Sequence, residues 1–149
     1  MRQLICLPAL LVPLGCSSTH KQQVPLPDQT VEVSSPHVAR IYVIDTPELA
    51  PELSHARVEQ NGDSVGEVDS GSYVCWEREP GPCLISIVFD PVDPKSDEVI
   101  DKVDVELEPG ETYYYGLSFD RVWRVPKVRL LERFEARALL AHAKPAQRE

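Results

Sequence analysis

Residues 99 to 122 read VIDKVDVELEPGETYYYGLSFDRV, and this stretch decides the fold class of the chain. Apolar and polar residues alternate from Val99 to Leu107, and Pro109-Gly110 then leads into a second alternating run, Thr112 to Val122. An alternation of period two is typical of a β-strand that buries one face, and Pro-Gly is a turn signal. The stretch therefore predicts two consecutive β-strands separated by a tight turn.

The same alternation extends toward the N-terminus, and the segment Leu84 to Phe89 is almost entirely apolar, as expected for a central strand with both faces covered. Asn61-Gly62 is a favoured hairpin turn. The other predicted strands are Val38 to Ile44, Ala56 to Gln60, Ser64 to Val68, Ser72 to Glu77 and a short Lys127 to Leu130. Seven or eight short strands with turns between them predict a mainly β protein, and we expect an antiparallel β-sandwich, with a small barrel as the alternative.

The period changes only near the C-terminus. Leu131, Phe134, Ala138 and Ala141 are spaced for one helix within Leu131 to Ala143, which ends before Pro145. We expect this apolar stripe to pack on the sandwich. Docking of the Arg-rich polar face on an anionic membrane or on a partner is the alternative.

The N-terminus has the order of a bacterial secretory signal peptide: Arg2, an apolar run from Leu4 to Leu14, Gly15, and then polar sequence after Cys16. The run is shorter than the about 20 residues that a transmembrane helix needs. A small residue before a cysteine resembles the bacterial lipoprotein signal, which predicts removal of residues 1–15 and lipid attachment at Cys16. An ordinary cleaved secretory signal is the alternative.

Residues 17–37 are rich in Ser, Gln and Pro and lack a clear period before Val31. The predicted organisation is a signal peptide at 1–15, a lipidated N-terminus and flexible tether at 16–37, and the β-sandwich domain with its C-terminal helix at 38–145.

The cysteines fit an exported chain. Cys6 would leave with the signal peptide and Cys16 would carry lipid, so the mature domain keeps Cys75 and Cys83. Pro80-Gly81-Pro82 between them predicts a chain reversal, and an oxidising compartment favours a disulfide. The spacing suits neither a redox motif nor a zinc site.

The net charge of −9 argues against a nucleic-acid partner, whose phosphates require a basic surface. The charge is divided between an acidic segment, Asp90 to Glu111, and a basic one, Arg121 to Arg137. We interpret these as solvated faces that pair within the fold, and contact with a partner is the alternative.

Motifs for catalysis and metal binding are missing from the sequence, which has no nucleophile elbow, zinc-protease motif or phosphate-binding loop. Asp45 and His55 lie in one loop without a nucleophile to act on, and the acidic loop Asp90 to Glu98 lacks the register of a calcium-binding loop. We therefore predict a protein that is not an enzyme and that carries no metal or cofactor.

The aromatic residues give the one candidate ligand site. Tyr113 and Tyr115 share the predicted core face, whereas Tyr114 points to the opposite side. Together with Trp76 or Trp123, Tyr114 would form a stacking platform for a sugar or a peptide. Ordinary strand packing is the alternative for all three.

Several short segments resemble a family of small bacterial lipoproteins with a conserved domain of unknown function, a β-sandwich similar to PEGA-type and carboxypeptidase-regulatory-like modules. The matching segments are Ala39 to Val43, Ser64 to Val68, Gly71 to Tyr73, Glu79 to Gly81, and Leu107 to Tyr115. The family usually has a histidine at the position of Cys83. The resemblance implies a fold and an envelope location but no activity.

The lipoprotein resemblance also implies a location within the envelope. Ser17 stands where many Gram-negative lipoproteins retained in the inner membrane have Asp, which favours the outer membrane, facing the periplasm. The expected partners are the membrane, through the lipid, and an envelope protein or the cell wall. The expected role is a non-catalytic binding or assembly module, with a periplasmic binder of a small ligand or cell-wall glycan as the alternative.

Overall fold

The computed structural model describes residues 23–47, 55–89, 99–120 and 125–146. This part of the chain is mainly β, with nine strands and one helix. The elements are β1 (Ala39–Asp45), β2 (Ala56–Gln60), β3 (Asp63–Val68), β4 (Ser72–Arg78), β5 (Gly81–Phe89), β6 (Val99–Leu107), β7 (Thr112–Asp120), β8 (Val125–Leu130), α1 (Arg133–Leu140) and β9 (Lys144–Pro145). The predicted mainly β class with one C-terminal helix is confirmed.

The strands form two sheets, a five-stranded sheet in the order β8-β7-β1-β4-β9 and a four-stranded sheet in the order β3-β2-β5-β6. Most neighbouring strands are antiparallel, but β1 pairs with β7 and β4 pairs with β9 in parallel. The turn at Pro109-Gly110 carries the chain from β6 in one sheet to β7 in the other, where β7 adds beside β1. The β-sandwich prediction is confirmed, with these two parallel pairs as a difference.

The core lies between the inward faces of the two sheets. Alternate residues of β1, β4 and β7 point into it from the five-stranded sheet: Ile41, Val43, Val74, Trp76, Tyr115 and Leu117. The four-stranded sheet contributes Val58, Val65, Ile85, Ile87 and Phe89. β5 lies between β2 and β6, and its residues 85–89 are all buried, which confirms the predicted central strand.

The segment before β1, within which the sequence predicts a flexible tether, packs on the sandwich over the described residues 23–37. The Gln23 amide donates to the Val65 carbonyl at 2.7 Å, and Leu26 packs against the outer cluster of the five-stranded sheet. This Pro-containing segment does not pair as a strand. Side chains of the sheet form hydrogen bonds with some of its backbone groups instead, namely the Val31 carbonyl and the Ser34 amide. The predicted signal peptide and Cys16 lie outside the described residues.

The helix packs through a different face from the predicted stripe. Phe134 is 87% exposed, and Ala138 and Ala141 are also exposed. The packed positions are Ala136, Leu139, Leu140 and Ala143, which have helical spacing, together with Leu131 before the helix. Within the described ranges, no helix is long and apolar enough to cross a membrane.

Candidate functional site

Three tyrosines lie together on the outer face of the five-stranded sheet. Alternation within β1, β4 and β7 directs Tyr42, Tyr73 and Tyr114 away from the core, into a second cluster beneath α1. Tyr42 stands directly opposite Tyr114 in the parallel register, and their ring centroids are 5.2 Å apart with an interplanar angle of 19°. The Tyr73 ring is 5.8 Å from that of Tyr42. We call these three residues the tyrosine face.

A cavity of about 430 Å³ opens above the tyrosine face. Residues 29–32 form one wall, and Arg137, Leu140 and Ala141 of the helix region form the other. Small-ligand sites have volumes of about 300 to 1,000 Å³ and combine aromatic walls with a few polar groups. The cavity has this size and this composition.

Residues 29–34, which we call the strap, include this wall and are hydrogen-bonded to the sheet below them. The Tyr42 hydroxyl donates to Gln29 Oε1 at 2.8 Å, and Gln29 Nε2 lies 3.8 Å from the Cys75 sulfur. Tyr42 and Tyr73 are buried, while Tyr114 is half-buried and contributes its ring to the cavity wall. The strap thus covers part of the tyrosine face and leaves Tyr114 accessible.

A buried ion pair anchors the strap. Arg40 is 1% exposed, and its Nε and Nη2 donate to Glu77 Oε1 at 2.9 and 2.7 Å. Arg40 Nη1 donates to the Val31 carbonyl at 2.6 Å, and the Ser34 amide and hydroxyl both donate to Glu77. These bonds join β1 and β4 to both ends of residues 31–34.

The electrostatics of this pair follow from its hydrogen bonds. Burial acts to raise the pKa of Glu77, but the bonds from Ser34 and Arg40 outweigh it and hold the pKa below its ordinary value. Burial likewise acts to lower the pKa of Arg40, and the bonds to Glu77 and Tyr42, with smaller charge effects, together more than offset this, so the pKa is raised. Each charge is therefore stabilised by the other group and by the strap.

A second, exposed ion cluster lies at the rim of the cavity. Glu32 Oε1 contacts Nη2 of Arg133 and, at 2.9 Å, Nη2 of Arg137. The three side chains are between 54% and 65% exposed. Ion pairs this exposed contribute little to stability because water screens them and the long side chains lose freedom.

The tyrosine hydroxyls are poor acids in this setting. Burial raises the pKa of Tyr42, Tyr73 and Tyr114, in the last case against the smaller opposing effect of Arg137. Burial also raises the pKa of the Cys75 thiol to about 11. At neutral pH the face therefore presents uncharged rings and hydroxyls beside one guanidinium, which suits stacking and hydrogen bonding.

Of the two predicted platform residues that the structure describes, Tyr114 lies on the tyrosine face and Trp76 does not. Trp76 is 2% exposed on the inner face of β4, and its Nε1 donates to Gln60 Oε1 at 2.6 Å. Its predicted place on the platform is therefore wrong, because it shares the inward parity of Val74. Trp123 lies outside the described residues.

The structure does not form the predicted disulfide between Cys75 and Cys83, which are both buried thiols. Pro80-Gly81-Pro82 does not close a hairpin: it carries the chain from β4 in the five-stranded sheet to β5 in the four-stranded sheet. Cys75 packs in the outer cluster with the tyrosine face, and Cys83 packs in the core between the sheets. The five-stranded sheet therefore lies between the two side chains and separates the sulfurs.

The loop residues considered for acid–base chemistry are also separated. His55 Nδ1 lies 2.8 Å from Asp69 Oδ1, whereas Asp45 Oδ2 accepts from the Gly71 amide at 2.7 Å. Burial raises the pKa of Asp45. Within the described ranges, no group of three or more His, Cys, Asp or Glu side chains is arranged to hold a metal ion. The acidic loop 90–98 lies outside those ranges.

Sequence reasoning missed most of the site, namely Tyr42, Tyr73, Glu32 and Arg137. The outward parity of Tyr42 between Ile41 and Val43 was a usable signal. The parallel pairing of β1 with β7, which stacks Tyr42 on Tyr114, has no local signal in the sequence.

Comparison with known proteins adds no family. No protein-family model matches the chain, and no curated protein matches it in sequence. The resemblance to small lipoproteins stays a prediction, and the role of the tyrosine face rests on its geometry.

Proposed function

We propose that this protein is a lipid-anchored binding module of the bacterial cell envelope, without catalytic activity, and that it binds its partner at the tyrosine face. The observation that carries the proposal is the cavity of about 430 Å³, lined by stacked tyrosines and by Arg137. Stacked rings offer a large contact area with polar tips, and the guanidinium adds a directional donor. The neutral hydroxyls of the face fit recognition better than proton transfer.

The anchor in this proposal is Cys16, which precedes the packed segment by few residues. Gln23 is bonded to Val65 of β3, and the chain from Cys16 to Gln23 can span at most about 25 Å. Lipid on Cys16 would therefore hold the sandwich close to the membrane surface. Several acyl chains are needed for stable anchoring, since one chain binds only marginally.

The anchor and the thiols are tested together by the intact mass of protein purified from membranes. We expect the mass of residues 16–149 plus lipid, and no change of mass on reduction, because Cys75 and Cys83 are thiols. A mass that includes Met1 would remove the anchor from the proposal. A gain of two hydrogens on reduction would show a disulfide and contradict the separation of the two sulfurs.

The binding site is tested by capture of envelope material with full-length protein and with Tyr114→Ala. Loss of the ring should weaken capture about tenfold, which corresponds to one stacking contact with its buried area. Tyr114→Phe, which keeps the ring, should retain most of the binding. Capture that is unchanged by Tyr114→Ala would move the site away from the tyrosine face.

The second candidate function is the binding of a small ligand or a cell-wall glycan, and the observation that favours it is the cavity volume of about 430 Å³, which lies in the range of small-ligand sites. The two functions separate in the same experiment. A protein partner would be crosslinked in intact membranes, whereas a glycan would retain the protein on isolated cell wall. Dependence on Tyr114 in one of the two assays would identify the class.

A further inference from the structure

A carboxylate of the chain itself already occupies the rim of the cavity. Glu32, on the strap, places one carboxylate oxygen against the guanidinium groups of both Arg133 and Arg137. Both arginines belong to α1, where positions four apart lie on the same face of the helix. Two guanidinium groups therefore converge on a single anionic group next to the aromatic wall.

The site joins this anion position to the tyrosine face. Arg137 and Glu32 line the cavity together with Tyr42, Tyr73 and Tyr114. Gln29 and Thr30 line the same space and offer amide and hydroxyl groups. A guanidinium pair, an aromatic wall and small polar groups match the carboxylate, the ring face and the hydroxyls of an acidic sugar.

We propose that the cavity binds a carboxylate-bearing saccharide, whose carboxylate replaces that of Glu32 on Arg133 and Arg137 and whose ring lies against Tyr114. This inference rests on the proposed function, because it names the ligand class of the same site. Glu32 acts as an internal competitor that occupies the anion position until the ligand arrives.

Replacement of the Glu32 carboxylate by that of the ligand is favourable for two reasons. The Glu32 contacts are solvent-exposed and weak, and the ligand adds ring contacts that Glu32 lacks. The strap itself can stay in place, since Arg40 and Glu77 hold it through Val31 and Ser34, independently of Glu32. Two further carboxylates, Glu111 and Glu132, line the adjoining cavity beside Arg133. They oppose an anion on that side, so Arg137 is the main partner of the ligand.

The test compares N-acetylmuramic acid with N-acetylglucosamine, which share a pyranose ring and an acetamido group but differ by a lactyl carboxylate. Titration of the detergent-solubilised full-length protein should show at least about tenfold tighter binding of the acid. Glu32→Gln, which removes the competing charge and keeps the shape, should strengthen binding of the acid about three- to tenfold and leave the neutral sugar unchanged. Arg137→Gln should remove the preference for the acid.

Arg129→Gln is the matched control, because Arg129 pairs with Glu135 and does not line the cavity. Its binding should equal that of the unmodified protein. Equal binding of the two sugars, or no gain with Glu32→Gln, overturns the carboxylate exchange and leaves the tyrosine face as a site. Failure of both sugars to bind overturns the ligand class, and the proposed function then stands or falls separately on capture that depends on Tyr114.

Discussion

Replacing Trp76 by alanine is expected to lower the free energy of unfolding by about 4 kcal/mol, because the indole is a core group. Trp76 is 2% exposed, and it packs between the sheets with Val74 and Ile85. The substitution removes a large buried area and leaves a cavity. It also removes the hydrogen bond of 2.6 Å that the indole Nε1 donates to Gln60 Oε1. Thermal unfolding should show a melting temperature lower by about 10 to 20 °C.

Trp76→Phe separates the two effects of that substitution. The phenyl ring keeps most of the apolar volume and loses only the hydrogen bond to half-buried Gln60, so we expect a loss of about 1 to 2 kcal/mol. Tyr114→Ala, on the half-buried outer side, should destabilise less than Trp76→Ala and act on binding. If Trp76→Ala left the melting temperature unchanged and reduced ligand capture, Trp76 would lie on the surface, and the inward orientation of its side chain in β4 would be wrong.

The parity of β4 explains how far sequence reasoning could go at Trp76. Alternation shows that Val74 and Trp76 share one face and that Tyr73 and Cys75 share the other. It identifies the inward face only when the other face is polar. Here the outer face is covered by the strap and α1, so both faces carry apolar residues. The alternation therefore does not show which face of β4 points into the core.

Connections between sheets limited the prediction in a similar way. The strands themselves were predictable from period two, and the mainly β class followed from them. Pro80-Gly81-Pro82 signals a turn, but a turn that closes a hairpin and one that moves the chain to the opposite sheet have similar local sequences. The difference is set by which strands complete each sheet, and it decided the separation of Cys75 from Cys83.

The helix and the strap show the limit set by short elements. α1 has only eight residues, so Phe134, Ala138 and the true packed residues all fit a helical period. Leu131 is the one residue of the predicted stripe that packs on the sheet, but it precedes α1, so its burial does not fix which face the helix buries. Leu131 approaches the backbone at Gly116, where an added Cβ would lie 2.9 Å from a Leu131 methyl group. The strap has no period, and a buried Arg40 that bonds to it appears in the sequence as an ordinary charged residue.

Replacing Arg40 by methionine is expected to destabilise the fold by about 3 kcal/mol, because it leaves Glu77 as a mostly buried charge without its guanidinium partner. The Glu77 side chain is 13% exposed and keeps only its bonds from Ser34. The bond from Arg40 to the Val31 carbonyl is lost as well, so the strap should exchange its amide protons faster. Denaturant unfolding measures the first effect, and hydrogen exchange of residues 29–34 measures the second.

The pair also gives the stability a defined pH dependence. The pKa of Glu77 is lower in the folded protein than its ordinary value of 4.5, so the folded state binds the proton less readily than the unfolded state. Its stabilisation is complete above that ordinary value and is lost as the pH falls through the lower, folded value. In Arg40→Met the pKa of Glu77 should rise in the folded state, because one of the groups that lower it is gone. The acid-dependent loss of stability should therefore become smaller, and the destabilisation caused by the substitution should shrink as the pH falls and Glu77 takes up a proton.

Two further variants decide whether burial of the pair causes these effects. The double variant Arg40→Met, Glu77→Met removes both charges, and we expect it to be more stable than Arg40→Met alone, since no uncompensated buried charge remains. Arg129→Met removes a guanidinium from the half-exposed pair with Glu135 and should change stability by less than about 1 kcal/mol. Equal effects of Arg40→Met and Arg129→Met would contradict a buried anchor, because the cost of Arg40→Met comes from an isolated charge that is mostly shielded from water.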